Sequence, residues 1–237
     1  MRLLITLDIY AAKFETPFLI DTKRFFTFEG DALIHSVDTT QFLQLVDKRF
    51  LEAMEMVRKY LDPATKRPLM DTVERYLLKP HAAILVERGF KQMLDNNRRE
   101  ELKRMFLLYE RISELPLLKQ AWSNYIREIG TSLMSGAQAS KTFIEDCLDL
   151  QEKLEGVWTT AFFGNESFKV VMQRCFEDFL NVKSSSSSSS SGGGAGVSGG
   201  VLASELVAKF VDRKMRGEKG VSESDVELLL DKVRTQL

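Results

Sequence analysis

Few residues in this chain have types that do chemistry, and their neighbours decide what each could do. His35 and His81 are the two histidines among 237 residues. Neither has a Cys or His at ligand spacing, and no HExxH or CxxC occurs, so no metal is expected. His81 follows Pro80 near a helix start, where a structural hydrogen bond is the expected role. Cys147 and Cys175 fall inside apolar periodic segments and read as buried thiols in a reducing compartment. Nothing nominates a base to activate Cys147 as a nucleophile. Gly194-Ala195-Gly196-Val197-Ser198-Gly199 spells the dinucleotide fingerprint, which needs a preceding strand to aim pyrophosphate at a helix N-terminus. A serine run precedes it instead, so it is low complexity and no nucleotide cofactor is expected. Asn165-Glu166-Ser167 is a glycosylation sequon that equally suits a helix N-cap, and we read it as the cap. The carboxylates are spread among Lys and Arg as solvated faces and i,i+4 pairs. The chain is therefore not read as an enzyme: no catalytic residue, metal or cofactor is expected.

What remains is charge. In "SELVAKFVDRKMRGEKG" (204–220), Leu206, Val207, Phe210 and Val211 form an apolar face, and Lys209, Arg213, Lys214, Arg216 and Lys219 gather elsewhere or past the end. Basic residues in a last turn complement the helix dipole, which is the ordinary helix-stop pattern and the reading we favour. The functional alternative makes Lys209, Arg213, Lys214 and Arg216 a docking patch for an acidic partner. Over the whole chain the formal charge is -1. Bulk electrostatics thus offers no attraction to nucleic acid or anionic membrane, and neither is an expected partner.

The elements that would position these residues are helices. Phe42, Val46, Phe50, Ala53, Val57 and Leu61 step by three and four along one face, with Asp38 and Gln41 as a capping-box start and Pro63 closing the far end. Leu102, Met105, Tyr109 and Ile112 mark another stripe, and Leu117 to Met134 a further long helix. Phe143, Cys147, Leu150, Leu154, Val157 and Ala161 make the next, followed by Phe168, Met172, Cys175 and Phe179. Turn signals separate them: "DPATKRP", "LDNN", "ELP", "MSGAQAS" and "FFGNES". No alternating run of strand length competes. "VERGFKQMLD" (Val86–Asp95) and "MQRCFEDFLN" (Met172–Asn181) share Arg, Phe and Leu at matching offsets, an internal echo such as a stacked solenoid would leave.

Residues 184–200, "SSSSSSSSGGGAGVSGG", cannot bury apolar area and read as a flexible loop. The expected division is a helical stalk over 1–183, this loop over 184–200, and two closing helices over 201–237. With 44% apolar and 28% charged residues the composition is that of an ordinary folded protein. The apolar start "MRLLITLDIY" is interrupted at Asp8, too early for a signal peptide, and nothing later spans a bilayer. Cytoplasm or nucleus is the expected location.

The closing helices carry a family resemblance. Glu205-Leu206-Val207-Ala208-Lys209-Phe210, then Asp212 and Lys214-Met215, resembles the helix that closes the cullin N-terminal stalk, and "ESDVELLLDKV" resembles the helix after it. The matches run back along the chain in the family's order. They include Leu61, Thr65 and Leu69; Leu77, Leu78 and His81; and "LDNNRREELKRMF" with Arg111-Ile112. Ala161-Phe162, Asn165 and Phe168 follow, then Phe176, Phe179, Leu180 and Asn181; Tyr10, Phe14-Glu15 and Phe18-Leu19 stand near the start. "VAKFVDRKMR" leans towards the fourth cullin type, which recruits a propeller-shaped adaptor.

The resemblance implies an all-α fold, an elongated stack of about two cullin repeats with long helices and short loops. It implies a non-catalytic scaffold of a cullin-RING ubiquitin ligase, in ubiquitin-dependent protein degradation. Its partners would be proteins, an adaptor or an exchange factor. The family's first, adaptor-binding repeat and its RING-gripping C-terminal half have no counterpart here, so the expectation is a fragment of a longer scaffold. An exposed apolar patch near Leu3, Leu4 and Leu7, with a tendency to self-associate, is expected with it. A helical-rod subunit of a vesicle-tethering complex is the second reading, since such rods share the repeat style. A helical enzyme is the third, and it would need a pocket gathering His81 or Cys147 with a carboxylate.

Overall fold

A computed structural model describes residue 6, residues 9–135 and residues 139–180, the side chains of 134–145 and 179–180 excepted. The described backbone is helical, joined by turns, and carries no strand. The helices are α1 (Thr16–Ser36), α2 (Thr39–Tyr60), α3 (Lys66–Val73), α4 (Ala82–Asp95), α5 (Arg99–Arg111), α6 (Leu115–Ser135), α7 (Ala139–Thr160) and α8 (Glu166–Leu180). The chain divides into two compact units, Met1–Ala121 and Trp122–Leu237, with the division inside α6.

In the first unit, α2 is the central element, touching α1, α3, α4 and α5. Its buried stripe is Phe42, Val46, Phe50, Ala53 and Val57, as the periodicity predicts, with Leu43 added and Leu61 half-buried at the C-cap. The Asp38 carboxylate accepts the Gln41 N–H at 2.7 Å, satisfying one of the orphan donors of the first turn. The turn after α2 is shorter than "DPATKRP" suggests. Pro63–Thr65 form a 3₁₀ turn, and Lys66 already begins α3. Pro68 is tolerated there because first-turn N–H groups have no intrahelical partner. Tyr10 secures this corner from the other side: its hydroxyl accepts the Asp62 N–H at 3.2 Å and shares a hydrogen bond with Thr65 at 3.0 Å.

Between α3 and α4 the chain never leaves helical geometry. A π-turn spans Glu74–Leu78 and a 3₁₀ turn Lys79–His81. Pro80 has no N–H to give to a preceding carbonyl, and the change of helical register absorbs that loss. Across this unit, Arg88 Nη1 donates to the Ile34 carbonyl at 2.8 Å, capping the C-terminal turn of α1 with a cation. The Tyr109 hydroxyl donates to the Ala82 carbonyl at 2.6 Å, fastening α5 to the start of α4. Burial raises its pKa, with Glu114 adding to the effect, so it stays a donor. Tyr109→Phe is expected to cost about 1.5 kcal/mol in denaturant unfolding, because a buried carbonyl loses its partner without any change of packing. A loss indistinguishable from zero would mean that solvent replaces the bond.

In the second unit, Trp122 and Ile126 of α6, Leu154 and Val157 of α7, then Ala161, Phe162 and Phe168 form the core. Met172, Cys175 and Phe176 extend it along α8. Trp122 stands edge-on to Phe162 at 5.2 Å, and Phe162 meets Phe168 at 4.5 Å. Asn165 is the N-cap of α8: its side-chain oxygen accepts the Ser167 N–H at 3.0 Å and the Ser167 hydroxyl at 2.6 Å. The Trp158 indole N–H donates to the Asn165 carbonyl at 2.9 Å. Segments 86–95 and 172–181, the echo noted above, bury the same first, fourth and fifth positions: Val86, Gly89 and Phe90 against Met172, Cys175 and Phe176.

Candidate interaction surfaces

His81 and the two cysteines behave as packing residues, while His35 is exposed. Cys147 and Cys175 are free and buried, and burial pushes the Cys147 thiol up to about 12, with Asp146 adding to the shift. A thiol so disposed carries almost no thiolate at neutral pH. His81 is buried, but its Nε2 makes no hydrogen bond, contrary to the structural bond expected from its place beside Pro80. It packs edge-on against Phe42 at 5.8 Å instead, with Asp31 Oδ1 at 3.6 Å. Cys147 and His81 belong to different units. Among the described residues no group of His, Cys, Asp and Glu is placed to hold a metal ion.

The sequence-predicted basic patch of Lys209, Arg213, Lys214 and Arg216 lies outside the described residues, as do the glycine fingerprint at 194–199 and the apolar cluster of Leu3, Leu4 and Leu7. Within the described residues, two other stretches of surface have the composition of contact regions. Along the α1–α2 edge, Phe25, Phe28, Met56 and Tyr60 are exposed, Phe28 to 77%. Arg49 binds this edge together: Nε donates to both Glu29 oxygens at 3.0 Å, Nη1 reaches Glu52 at 2.6 Å, and the guanidinium lies 5.6 Å from the Phe25 ring. The Glu29 hydrogen bond above all raises the Arg49 pKa, against the burial that lowers it, so the cation is permanent.

On the other flank of α2, a groove of about 200 Å³ is lined by Asp47, Glu100, Lys103, Arg104 and Leu107. Arg104 Nε donates to Asp47 at 2.6 Å across it, and Arg111 sits over the Phe50 ring at 4.2 Å. Leu51 and Met54, four and seven residues beyond Asp47, continue the same α2 face and are exposed, Leu51 to 64%. Apolar residues flanked by neutralised charge pairs are the chemistry of protein contact. Sequence reasoning passed over both regions. The signal was available in α2, where Leu51, Met54 and Met56 fall off the 42/46/50/53/57 stripe and so cannot share its core.

Comparison with known proteins places these helices. The family model for the cullin alpha solenoid domain matches residues 1–237. The chain is similar to Cullin-4 of Dictyostelium discoideum, at 30% identity over 233 residues, 98% of this chain and 27% of that protein. It is similar to Cullin-4A of Mus musculus at 32% over 235 residues, 98% of this chain and 29% of that one. Cullin-3A of Arabidopsis thaliana is 30% identical over 234 residues, covering 95% and 30% respectively. The chain therefore spans less than a third of the length of these relatives.

Proposed function

The chain belongs to the cullin family, and from that premise we propose that it serves as a non-catalytic scaffold segment of a cullin-RING ubiquitin ligase, acting in ubiquitin-dependent protein degradation. The observation that carries this reading is the match of the cullin solenoid family to residues 1–237. The match sets the vesicle-tethering reading aside, and the Cullin-4 relatives agree with the lean of "VAKFVDRKMR" to the fourth type.

The physics of the described helices suits such a role. At 1.5 Å per residue the 22 residues of α2 make a rod of about 33 Å. A stiff spacer fixes the distance between a bound substrate and a catalyst held elsewhere. It speeds transfer by removing translational and rotational freedom, with no reactive group of its own. The partners are proposed to be proteins of the ligase, an adaptor or exchange factor among them, and the compartment the cytoplasm or nucleus. Among the described residues no helix is long and apolar enough to cross a membrane.

Affinity purification of the tagged endogenous protein tests this. Recovery of a RING subunit and a propeller-type adaptor is the expected result, and recovery of vesicle-tethering subunits in their place would overturn the reading. Lys209, Arg213, Lys214 and Arg216 are proposed as partner contacts in the same experiment. Replacing all four with Glu should reduce partner recovery and steepen its loss with added salt, while the unfolding midpoint stays put. Unchanged recovery would assign these residues to the helix dipole alone.

A further inference from the structure

The joint between α3 and α4 holds a buried imidazole against the backbone of another helix. A Cβ built on Gly30 of α1 would lie 2.7 Å from His81 Nε2 and 3.3 Å from the Leu77 carbonyl. Gly30 is buried, so α1 rests its bare backbone on the joint, and the imidazole is the surface it rests on. The joint itself is irregular, with a π-turn over Glu74–Leu78 followed directly by a 3₁₀ turn over Lys79–His81 that contains Pro80. Such stretches change register more readily than an uninterrupted helix.

Every element around His81 contributes to its setting. From α1 come the Asp31 carboxylate, at 3.6 Å and largely exposed, and His35. From α2 comes the Phe42 ring. From α4, Arg88 is engaged with the Ile34 carbonyl one turn beyond Gly30. On the joint, Lys79 is paired with Glu114 at 3.1 Å. A neutral imidazole fits between Gly30 and Phe42. An imidazolium there has two N–H donors to satisfy, and the acceptor beside Nε2, Asp31 Oδ1, is largely exposed and at 3.6 Å stands beyond hydrogen-bond reach.

We infer that the Pro80–His81 joint is a proton-operated latch, in which neutral His81 seats α1 on the joint and protonation of the ring releases it. Burial lowers the His81 pKa below its ordinary 6.5, outweighing the opposing pull of Asp31, while His35 lowers it further. A released histidine therefore takes up a proton at a pH where the seated one does not. Opening binds protons, so acidification through and below 6.5 favours it, and neutral pH favours the closed joint.

Hydrogen exchange of the full 237-residue chain at about pH 7.2 and about pH 5.8, corrected for intrinsic exchange rates, reads the latch directly. Amides in 27–36 and 76–86 are expected to exchange at least about twofold faster at the acidic pH, while those of α8 do not change. In His81→Gln the acid-dependent rise should vanish, and in Asp31→Asn it should grow, because the seated ring loses the charge that raises its pKa while the released ring keeps its own. A wild type with no rise, or a rise undiminished in His81→Gln, overturns the latch. Should His81→Gln fail to fold, the wild type still decides. The chain has two histidines, so the His81 ring proton can be followed by NMR. A midpoint below 6.5, with Gly30 and Leu77 amides shifting alongside it, supports the latch; a midpoint at or above 6.5 overturns it.

Discussion

Trp122→Ala is expected to lower the unfolding free energy of the second unit by about 4 kcal/mol, the largest single effect among the substitutions considered. The indole is fully buried, and its loss opens a void beside the Phe162 ring, which in turn packs on Phe168. Its N–H also donates to the Phe168 carbonyl, but at 3.3 Å that bond is long and contributes about 1 kcal/mol or less. Packing should therefore dominate, and Trp122→Phe, which forfeits the bond and keeps much of the ring, should cost about 2 kcal/mol. The two tryptophans of the chain, Trp122 and Trp158, both belong to the second unit, so in Trp122→Ala the fluorescence of Trp158 alone reports its unfolding. A loss under about 1 kcal/mol would mean that the aromatic cluster is loosely packed and the cavity collapses freely.

The α8 side of that cluster is legible in the amino-acid order because its signals are local, whereas Trp122 meets Phe162 from 40 positions away and no local signal pairs them. Asn165 sits three residues before Phe168 and caps the helix that carries it; Phe162 and Phe168 flank the turn "FFGNES". The stripe on α2 and the Asp38 cap were legible for the same reason, a 3.6-residue period and a side chain acting on a neighbouring N–H. Contacts that depend on a partner far along the chain were not. Nothing near Pro80 announces a π-turn at Glu74–Leu78, since the register change depends on how α1 and α2 receive the joint. His81 was expected to find a hydrogen bond and meets the Phe42 ring, from 39 positions earlier in the chain. The turn "DPATKRP" ends sooner than its residues suggest, because the first turn of a helix accepts Pro68. Family membership was legible through many modest matches kept in order. The proposed contacts at Lys209, Arg213, Lys214 and Arg216 remain a reading of charge and spacing, and the described surfaces at Phe28 and Leu51 come from packing alone.

Gly89→Ala separates local from tertiary effects most sharply, because the two predict opposite signs. Gly89 lies within α4, where Ala in place of Gly ordinarily stabilises a helix by about 1 kcal/mol. Its Cβ, however, would stand 2.6 Å from both Cβ and Cγ2 of Thr39, and 2.7 Å from Oγ1. Thr39 is the first residue of α2 and is buried, and its hydroxyl donates to the Leu85 carbonyl at 3.4 Å. A threonine Cβ is fixed to the backbone, so no rotamer relieves the overlap and the start of α2 must move off α4. Overpacking of this kind costs about 3 kcal/mol, which leaves Gly89→Ala a net loss of about 2 kcal/mol. In a Thr39→Gly background the clashing atoms are gone, and the same substitution should there stabilise by about 1 kcal/mol. Urea unfolding of the four variants closes the cycle with a coupling of about 3 kcal/mol between sites 50 positions apart. Stabilisation by Gly89→Ala in the otherwise unaltered chain would mean that α2 and α4 are not in close backbone contact, and that the crossing on which the first unit's core is built lies elsewhere.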